Sequence, residues 1–440
     1  MTVIIAMAGM FITGNTTFTA MSISTIIVVA MAVLGSLTVL PATLSKLGDK
    51  VEKGRIPFLG RRRKPAGQSR VWSAVIDRVM RRPKLSIVLA GGLLVTMAIP
   101  ALSMHTKQSG VDALPKDIPV VQTYKAVQKA FPSKADTQTI VVKADDVTAP
   151  AVQRSIRDLQ ARASHDSQVV GAITQEVNPS HTVSRLTVAL PGEPSSDQSQ
   201  SALKHLRNDL LPATVKQVDG VSADVTGGAA STADFNSLMK AKTPLVFLFV
   251  LGLAFILLMA TFRSIVIPIK AIVLNLLSVG AAYGVVTAVF QKGWGEGLLG
   301  FESNGGVANW LPLFLFVILF GLSMDYHVFI LSRVRELVQR GMPTDQAVAE
   351  GIKSTASTVT AAAVVMVAVF AVFSTLGMLD MKEMGVGLAA AILIDATIVR
   401  GVLLPASMKL LGKWNWYLPK RLHWLPEIKH GEPEAVPAAA

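Results

Sequence analysis

The sequence predicts an α-helical polytopic membrane protein with one extracytoplasmic α+β domain. Three observations carry this. Of the 440 residues, 51% are hydrophobic, gathered in long runs and not in the periodic stripes of a soluble globule. Most of these runs approach or exceed the ~17–20 residues that cross a bilayer as a helix. One long stretch, His105–Thr243, has no such run and alternates strand-like and helix-like patterns.

The candidate spans are Ser22–Leu40, Leu85–Leu102, Leu245–Thr261, Ile265–Phe290, Leu311–Leu331, Val359–Leu376 and Met384–Leu404. Met1–Thr13 is a shorter apolar stretch. No Lys or Arg precedes it, so it lacks the form of a signal peptide. It reads as the end of a helix whose beginning is missing.

The net charge of +13 is concentrated. Lys46, Lys50, Lys53, Arg55, Arg61, Arg62, Arg63, Lys64, Arg70, Arg78, Arg81, Arg82 and Lys84 lie in one loop between two spans. A basic loop of this kind stays on the cytoplasmic side. Alternation then puts His105–Thr243 outside and Ser332–Thr355 inside. The C-terminal tail, with Lys409, Lys413, Lys420 and Arg421, is also inside. The expected division is 1–43 as the last two helices of a truncated first membrane repeat, 44–84 as the basic cytoplasmic loop and 85–103 as a transmembrane helix. The external domain is 104–243, a five-helix bundle 244–412, and the cytoplasmic tail 413–440. Charge in this placement points to membrane lipids and away from nucleic acid. The chain has no cysteine, so it forms no disulfide and no thiolate metal site. No metal or other cofactor is expected.

Within the external stretch, Thr137–Lys143 and Thr182–Leu190 alternate as strands do. Further strands are expected near Val169–Ile173 and at Val221–Thr226. Pro150–Ser164 and Ser199–Leu211 have helical spacing, with Ala151, Val152, Ile156, Leu159 and Ala163 as one stripe. The order approaches βαββαβ, the ferredoxin-like unit. A repeat links the ends of the chain: Leu40-Pro41-Ala42-Thr43-Leu44-Ser45-Lys46-Leu47-Gly48 matches Leu404-Pro405-Ala406-Ser407-Met408-Lys409-Leu410-Leu411-Gly412. At that offset Met1 falls on Val365, so the chain begins part-way through a first repeat. Parallel repeats are a transporter habit.

Asp325 lies in the apolar run Leu315–Leu331. An ionised carboxylate at bilayer depth costs roughly 2.5–3.5 kcal/mol, and such residues usually bind or relay protons or cations. Gly321 and Phe329, four residues to either side, share its face, and Gly321 admits a close neighbour helix. Tyr326 is about 100° round the helix and His327 about 200°, so His327 is expected to point elsewhere. Asp395 is a second mid-span carboxylate at broadly similar depth, which leaves open either one polar spot shared with Asp325 or a structural role. Arg400, more than a turn nearer the cytoplasm, is expected to snorkel. Thr355, Ser357, Thr358 and Thr360 either pass protons through water or bond back to their own helix. Gly280 and Gly284 read as a packing step. Trp310, Trp414, Trp416, Tyr417 and Trp424 read as an interfacial aromatic belt. Gly252, Gly280 and Gly300 are not followed by Gly-Lys-Ser/Thr, so no Walker A loop is present to use ATP.

The run Gly321-Leu322-Ser323-Met324-Asp325-Tyr326-His327-Val328-Phe329-Ile330-Leu331-Ser332-Arg333 closely resembles the fourth helix of a repeat in actinobacterial MmpL transporters of the RND superfamily. Asp112-Ala113-Leu114-Pro115-Lys116-Asp117 and Leu404-Pro405-Ala406 are similar to that family as well. The resemblance implies an RND-type fold with an incomplete first repeat, the external domain being a porter domain. It implies proton-motive-force-driven export of lipids or other hydrophobic compounds across the plasma membrane. In that family each half contributes an Asp-Tyr pair to the proton relay. Here Asp325 and Tyr326 match the second pair, with Asp395 as a further relay candidate. The first pair, four spans and one porter domain would lie upstream of Met1. Met31 stands at the repeat position of Asp395. The implied partners are a lipid or hydrophobic substrate, protons, and a missing N-terminal half or further copies of the chain. A transporter of this kind is not an enzyme. The alternatives are a non-transporting scaffold or inactive transporter fragment, and an intramembrane aspartyl protease using Asp325 and Asp395.

Overall fold

The computed structural model describes residues 2–48, 70–115, 117–130 and 135–424. Lys50, Lys53, Arg55 and Arg61–Lys64 of the basic loop, Lys116 and the tail beyond Trp424 lie outside the described residues. The described chain falls into two compact units, Lys107–Ala241 and the remainder. Among the described residues, seven helices are long and apolar enough to cross a membrane. The chain is a multi-pass membrane protein.

The N-terminal helices are α1 (Thr2–Ala8), α2 (Thr16–Leu37), its continuation α3 (Val39–Leu47), α4 (Arg70–Arg81) and α5 (Pro83–Ala98). Asn15 caps α2, its side chain accepting from the Thr17 and Phe18 N–H groups, which otherwise lack partners at a helix start. Pro83 opens α5, where a missing N–H costs nothing. Helix α4 falls inside the span read as loop. Its arginines obscured a spacing that buries Ile76, Val79 and Met80.

In the smaller unit, α6 (Pro119–Ala130) precedes β1 (Ala135–Lys143), α7 (Pro150–Ser164), β2 (Val170–Val177), β3 (Val183–Pro191), α8 (Asp197–His205) and β4 (Ser222–Gly227). The sheet order is β2-β3-β1-β4 with every pairing antiparallel. This is the ferredoxin-like arrangement the strand order predicts. Ile140 sits opposite both Leu186 and Val225, and alternation sends all three into one core. Val152, Ile156, Leu159 and Ala163 of α7 cover that face. Ala151 does not join the stripe: it is exposed, and Ser155 is buried in the helix instead. A bulge between Val170 and Thr174 accompanies Gly171, whose φ of +74° suits glycine.

The membrane bundle continues with α9 (Gly228–Phe262), α10 (Val266–Val286), α11 (Leu311–Gln339), α12 (Thr344–Phe373) and α13 (Leu379–Ile394), followed by a π-helical stretch Asp395–Leu403 and α14 (Leu404–Leu411). Helix α9 starts well before Leu245 and carries Pro244 inside it. A proline ring usually ends or kinks a helix, yet α9 runs through Pro244. Glycines set the helix contacts. A Cβ on Gly284 would fall 1.7 Å from the Met97 carbonyl oxygen of α5, and one on Gly321 would fall 2.9 Å from Val3 Cα of α1. The terminal repeat is visible in backbone geometry: α3 ends on Gly48 (φ 49°, ψ −134°) and α14 on Gly412 (φ 50°, ψ −122°).

His205 bridges two carboxylates in the smaller unit. Its Nδ1 lies 2.7 Å from Asp209 and its Nε2 2.8 Å from Asp166. Both ring nitrogens donate only in the imidazolium, so these bonds, Asp209 first, raise the His205 pKa. A raised pKa means the folded state binds the proton more tightly, so this contribution is complete below the ordinary histidine range and fades as pH rises through the raised value. Expressed alone, Lys107–Ala241 should fold cooperatively. Its melting temperature should be higher near pH 6 than near pH 8, and His205→Gln should flatten that difference. A random-coil circular dichroism spectrum would refute the independent unit.

Candidate functional site

The bundle encloses a polar cluster built around an ion pair. Asp395 and Arg400 are 6% and 4% exposed, and an Arg400 Nη2 bonds to Asp395 Oδ2. In an α-helix, residues five apart lie about 140° from each other. The π-helical stretch beginning at Asp395 bonds each residue to the fifth one on, which brings Arg400 round onto the Asp395 side. Arg400 therefore does not snorkel to the interface; a backbone irregularity invisible to helical counting holds it inside.

Two other helices complete the cluster. Ser323 Oγ on α11 is 2.8 Å from Asp395 Oδ2 and 2.6 Å from the side-chain oxygen of Asn275 on α10. One hydroxyl proton serves one acceptor. With the Asn275 amide turned so that its NH2 faces Ser323, that NH2 donates to the hydroxyl, which in turn donates to Asp395. Arg400 also donates to the Ser323 carbonyl at 3.3 Å and stacks over the Tyr326 ring at 4.5 Å. His327 is fully buried, with Nδ1 3.2 Å from the Ser323 carbonyl and Nε2 without a partner. A cavity of about 20 Å³ lies against Asn275, Ser323, Tyr326, Met366, Asp395 and Arg400. It has room for roughly one water molecule.

Asp325 lies outside this cluster. It is exposed and makes no hydrogen bond or salt bridge among the described residues. Counting about 100° per residue from Ser323 puts Tyr326 and His327 within about 60° of it and Asp325 about 160° away. The reading of one polar spot shared by Asp325 and Asp395 is therefore corrected: α11 turns its Ser323–Tyr326–His327 arc toward Asp395 and its Asp325 arc outward. Gly321 and Phe329 flank Asp325 on that outer face. Gly321 is covered by α1, where Thr2 Oγ1 donates to its carbonyl at 3.0 Å, while Phe329 is 47% exposed. The Tyr326 hydroxyl reaches Met366 Sδ at 3.7 Å on α12.

Other candidates resolve locally. Thr355 donates to the Gly351 carbonyl and Thr360 to that of Ala356. Thr360 also accepts from Trp72 Nε1 of α4 at 2.9 Å. Ser357 and Thr358 are exposed. Trp310 Nε1 donates to Asp380 at 3.2 Å, and Arg335 lies 4.6 Å over the Trp416 ring. Trp414, Tyr417 and Trp424 are exposed. Among the described residues, no three His, Asp or Glu side chains converge as a metal site requires. A protease dyad needs two carboxylates sharing a proton. Asp395 pairs with Arg400 instead, and Asp325 points away. Sequence reasoning passed over Asn275 and Ser323. An amide alone in the run Ile265–Phe290 was the available signal, since a polar side chain in a span seeks a partner.

The MMPL family model matches residues 1–86 and 112–427, and the chain belongs to the MMPL family. Relatives include the mycolic acid-containing lipids exporter MmpL11 of Mycolicibacterium smegmatis, 34% identical over 98% of this chain and 46% of its own length. The heme uptake protein MmpL11 of Mycobacterium tuberculosis H37Rv is 33% identical over 98% of this chain and 45% of its own. The trehalose monomycolate exporter MmpL3 of M. smegmatis is 29% identical over 91% and 42%. The chain thus spans about half the length of these relatives. The crystal structure of the translocon-associated membrane protein SecDF from Thermus thermophilus aligns with 93% of this chain and 47% of its own at 16% identity and a TM-score of 0.49.

Removing one partner of a buried ion pair strands the other charge and costs about 3–5 kcal/mol. Arg400→Leu should therefore lower the detergent melting temperature strongly. Adding Asp395→Asn should recover most of that loss. A double variant as unstable as Arg400→Leu alone would show that the pair does not carry the packing.

Proposed function

We propose that this chain forms the C-terminal half of a proton-motive-force-driven exporter of lipids or other hydrophobic compounds at the plasma membrane. The smaller unit lies outside and the C-terminus is cytoplasmic. The observation that carries the reading is Asp325, a mid-span carboxylate on an exposed helix face, back to back with the Asp395–Arg400 cluster. An ionised carboxylate left facing lipid costs several kcal/mol, so this face calls for a covering partner or a proton. Relatives about twice as long would supply a matching half to cover it.

In this mechanism Asp325 takes a proton from outside. Tyr326, the next residue, presents its ring to Arg400 and so joins the Asp325 face to the buried pair. Neutralising Asp325 removes the charge that resists close packing on the outer face, and α11 re-seats against its cover. Each proton crossing supplies about 2.3 kcal/mol per 100 mV of membrane potential. The relatives' names divide between lipid export and heme uptake, and both cargoes are apolar amphiphiles. The rival is a scaffold that moves nothing.

In a complete assembly, Asp325→Asn keeps size and hydrogen-bonding capacity but cannot titrate. It should abolish export under a proton gradient while leaving membrane insertion intact, and Tyr326→Phe should reduce export less. Parental export by Asp325→Asn would sink the mechanism; no gradient-dependent export by the parental assembly would favour the scaffold. For orientation, a cysteine at Ser196 should react with an impermeant thiol reagent from outside, and one at Ser45 only after permeabilisation. Outside labelling at Ser45 would invert the topology.

A further inference from the structure

We infer that His327 is a proton station on the cytoplasmic side of the Asp395–Arg400 pair, with Nε2 as the atom that takes and releases the proton. The inference rests on the proton-driven reading above and extends it past the carboxylates.

His327 is fully buried in a span, yet its Nε2 has no partner among the described residues. A buried unpartnered ring nitrogen costs free energy that an apolar side chain of similar shape would avoid. The other nitrogen is committed: Nδ1 lies 3.2 Å from the Ser323 carbonyl, which can only accept. Nδ1 therefore carries the hydrogen, and Nε2 presents a bare lone pair. That is the form of a base ready to be protonated.

The surroundings are ordered along the membrane normal. Ser323, in contact with Asp395 and Asn275, lies four residues toward the outer end of α11, about 6 Å above His327 at 1.5 Å per residue. Lys270 lies five residues from Asn275 on α10, about 7.5 Å toward the cytoplasm by the same rise. His327 therefore falls between the Asp395 layer and the Lys270 layer. Lys270 is itself buried and donates to Asn415 Oδ1 at 3.2 Å. The charged groups that act electrostatically on His327 are Asp395 and Arg400 from the π-helical stretch and Lys270 from α10. Helix α12 carries no charged residue between Lys353 and Phe373. In the step proposed, an N–H bond forms at Nε2 as an O–H bond of a protonated water breaks. The imidazolium then returns that proton to water on the cytoplasmic side, restoring the neutral ring.

The test uses the full chain in lipid nanodiscs with ¹⁵N-labelled histidine; His327→Gln identifies the His327 signal among the seven histidines. At neutral pH the signal should show hydrogen on Nδ1 and a bare Nε2. It should protonate in a titration between about pH 4 and pH 9, with a midpoint that moves in Asp395→Asn. A signal unchanged across that range, or a midpoint indifferent to Asp395→Asn, overturns the inference. In a complete assembly His327→Gln should lower the maximal export rate several-fold and leave the cargo concentration for half-maximal rate unchanged. Export at the parental rate also overturns it. Export at the parental rate by Asp325→Asn would instead defeat the parent reading, whatever the His327 titration shows.

Discussion

The Asp395–Arg400 pair is the constraint on which the bundle depends. Two charges taken out of water are tolerated only where their geometry is fixed. The partners that fix it come from three segments: Ser323 and Tyr326 from α11, Asn275 from α10, and the π-helical stretch that turns Arg400 inward, while Asp395 Oδ1 and Arg400 Nε have no partner among the described residues. Packing closes around this stretch. A Cβ on Gly401 would fall 2.5 Å from the Trp72 ring of α4, and Trp72 is tied to Thr360 of α12. One on Gly387 would fall 2.9 Å from Val286 Cγ2 and 3.1 Å from Leu315 Cδ1, closer than van der Waals contact. Glycine at both positions lets neighbours approach the helix that holds the pair.

The larger features were legible because they rest on composition and period. Apolar runs set the spans, and two-residue alternation set the strands to within a few residues. The repeat of Leu-Pro-Ala with a closing glycine corresponds to two helices that each end on a glycine of positive φ, Gly48 and Gly412. What stayed hidden depends on local departures from ideal geometry. Helical counting assumes 3.6 residues per turn, and the stretch at Asp395 does not obey it. Arg400 was therefore assigned to the interface. Helix α4 was masked by its own arginines, and α9 begins well before the apolar run Leu245–Thr261 that marked it.

The misplaced pairing of Asp325 with Asp395 has a different origin. Counting residues from the helix ends suggested similar depths for the two carboxylates, but depth says nothing of which way each helix turns. Angle decides it. Ser323 had to be fixed as the residue facing Asp395 before the arc could be drawn, and Ser323 drew no notice beside an aspartate, a tyrosine and a histidine.

Once the arc is drawn, the short run Ser323–His327 has an unusual property. Five consecutive residues of one rigid helix put a titratable carboxylate on the exposed face and an imidazole, a phenol ring and a hydroxyl against a buried ion pair. Backbone hydrogen bonds keep these side chains at fixed angles to one another. A change in charge on the outer face that rotates or shifts α11 must therefore move the inner contacts as well, and the reverse. On the proposed reading this rigidity supplies the coupling: no separate pathway of side chains is needed between the two faces, because both belong to the same turn and a half of helix. At Gly321, which has no side chain, the α11 backbone already packs directly against α1, where an added Cβ would fall 2.9 Å from Val3 Cα.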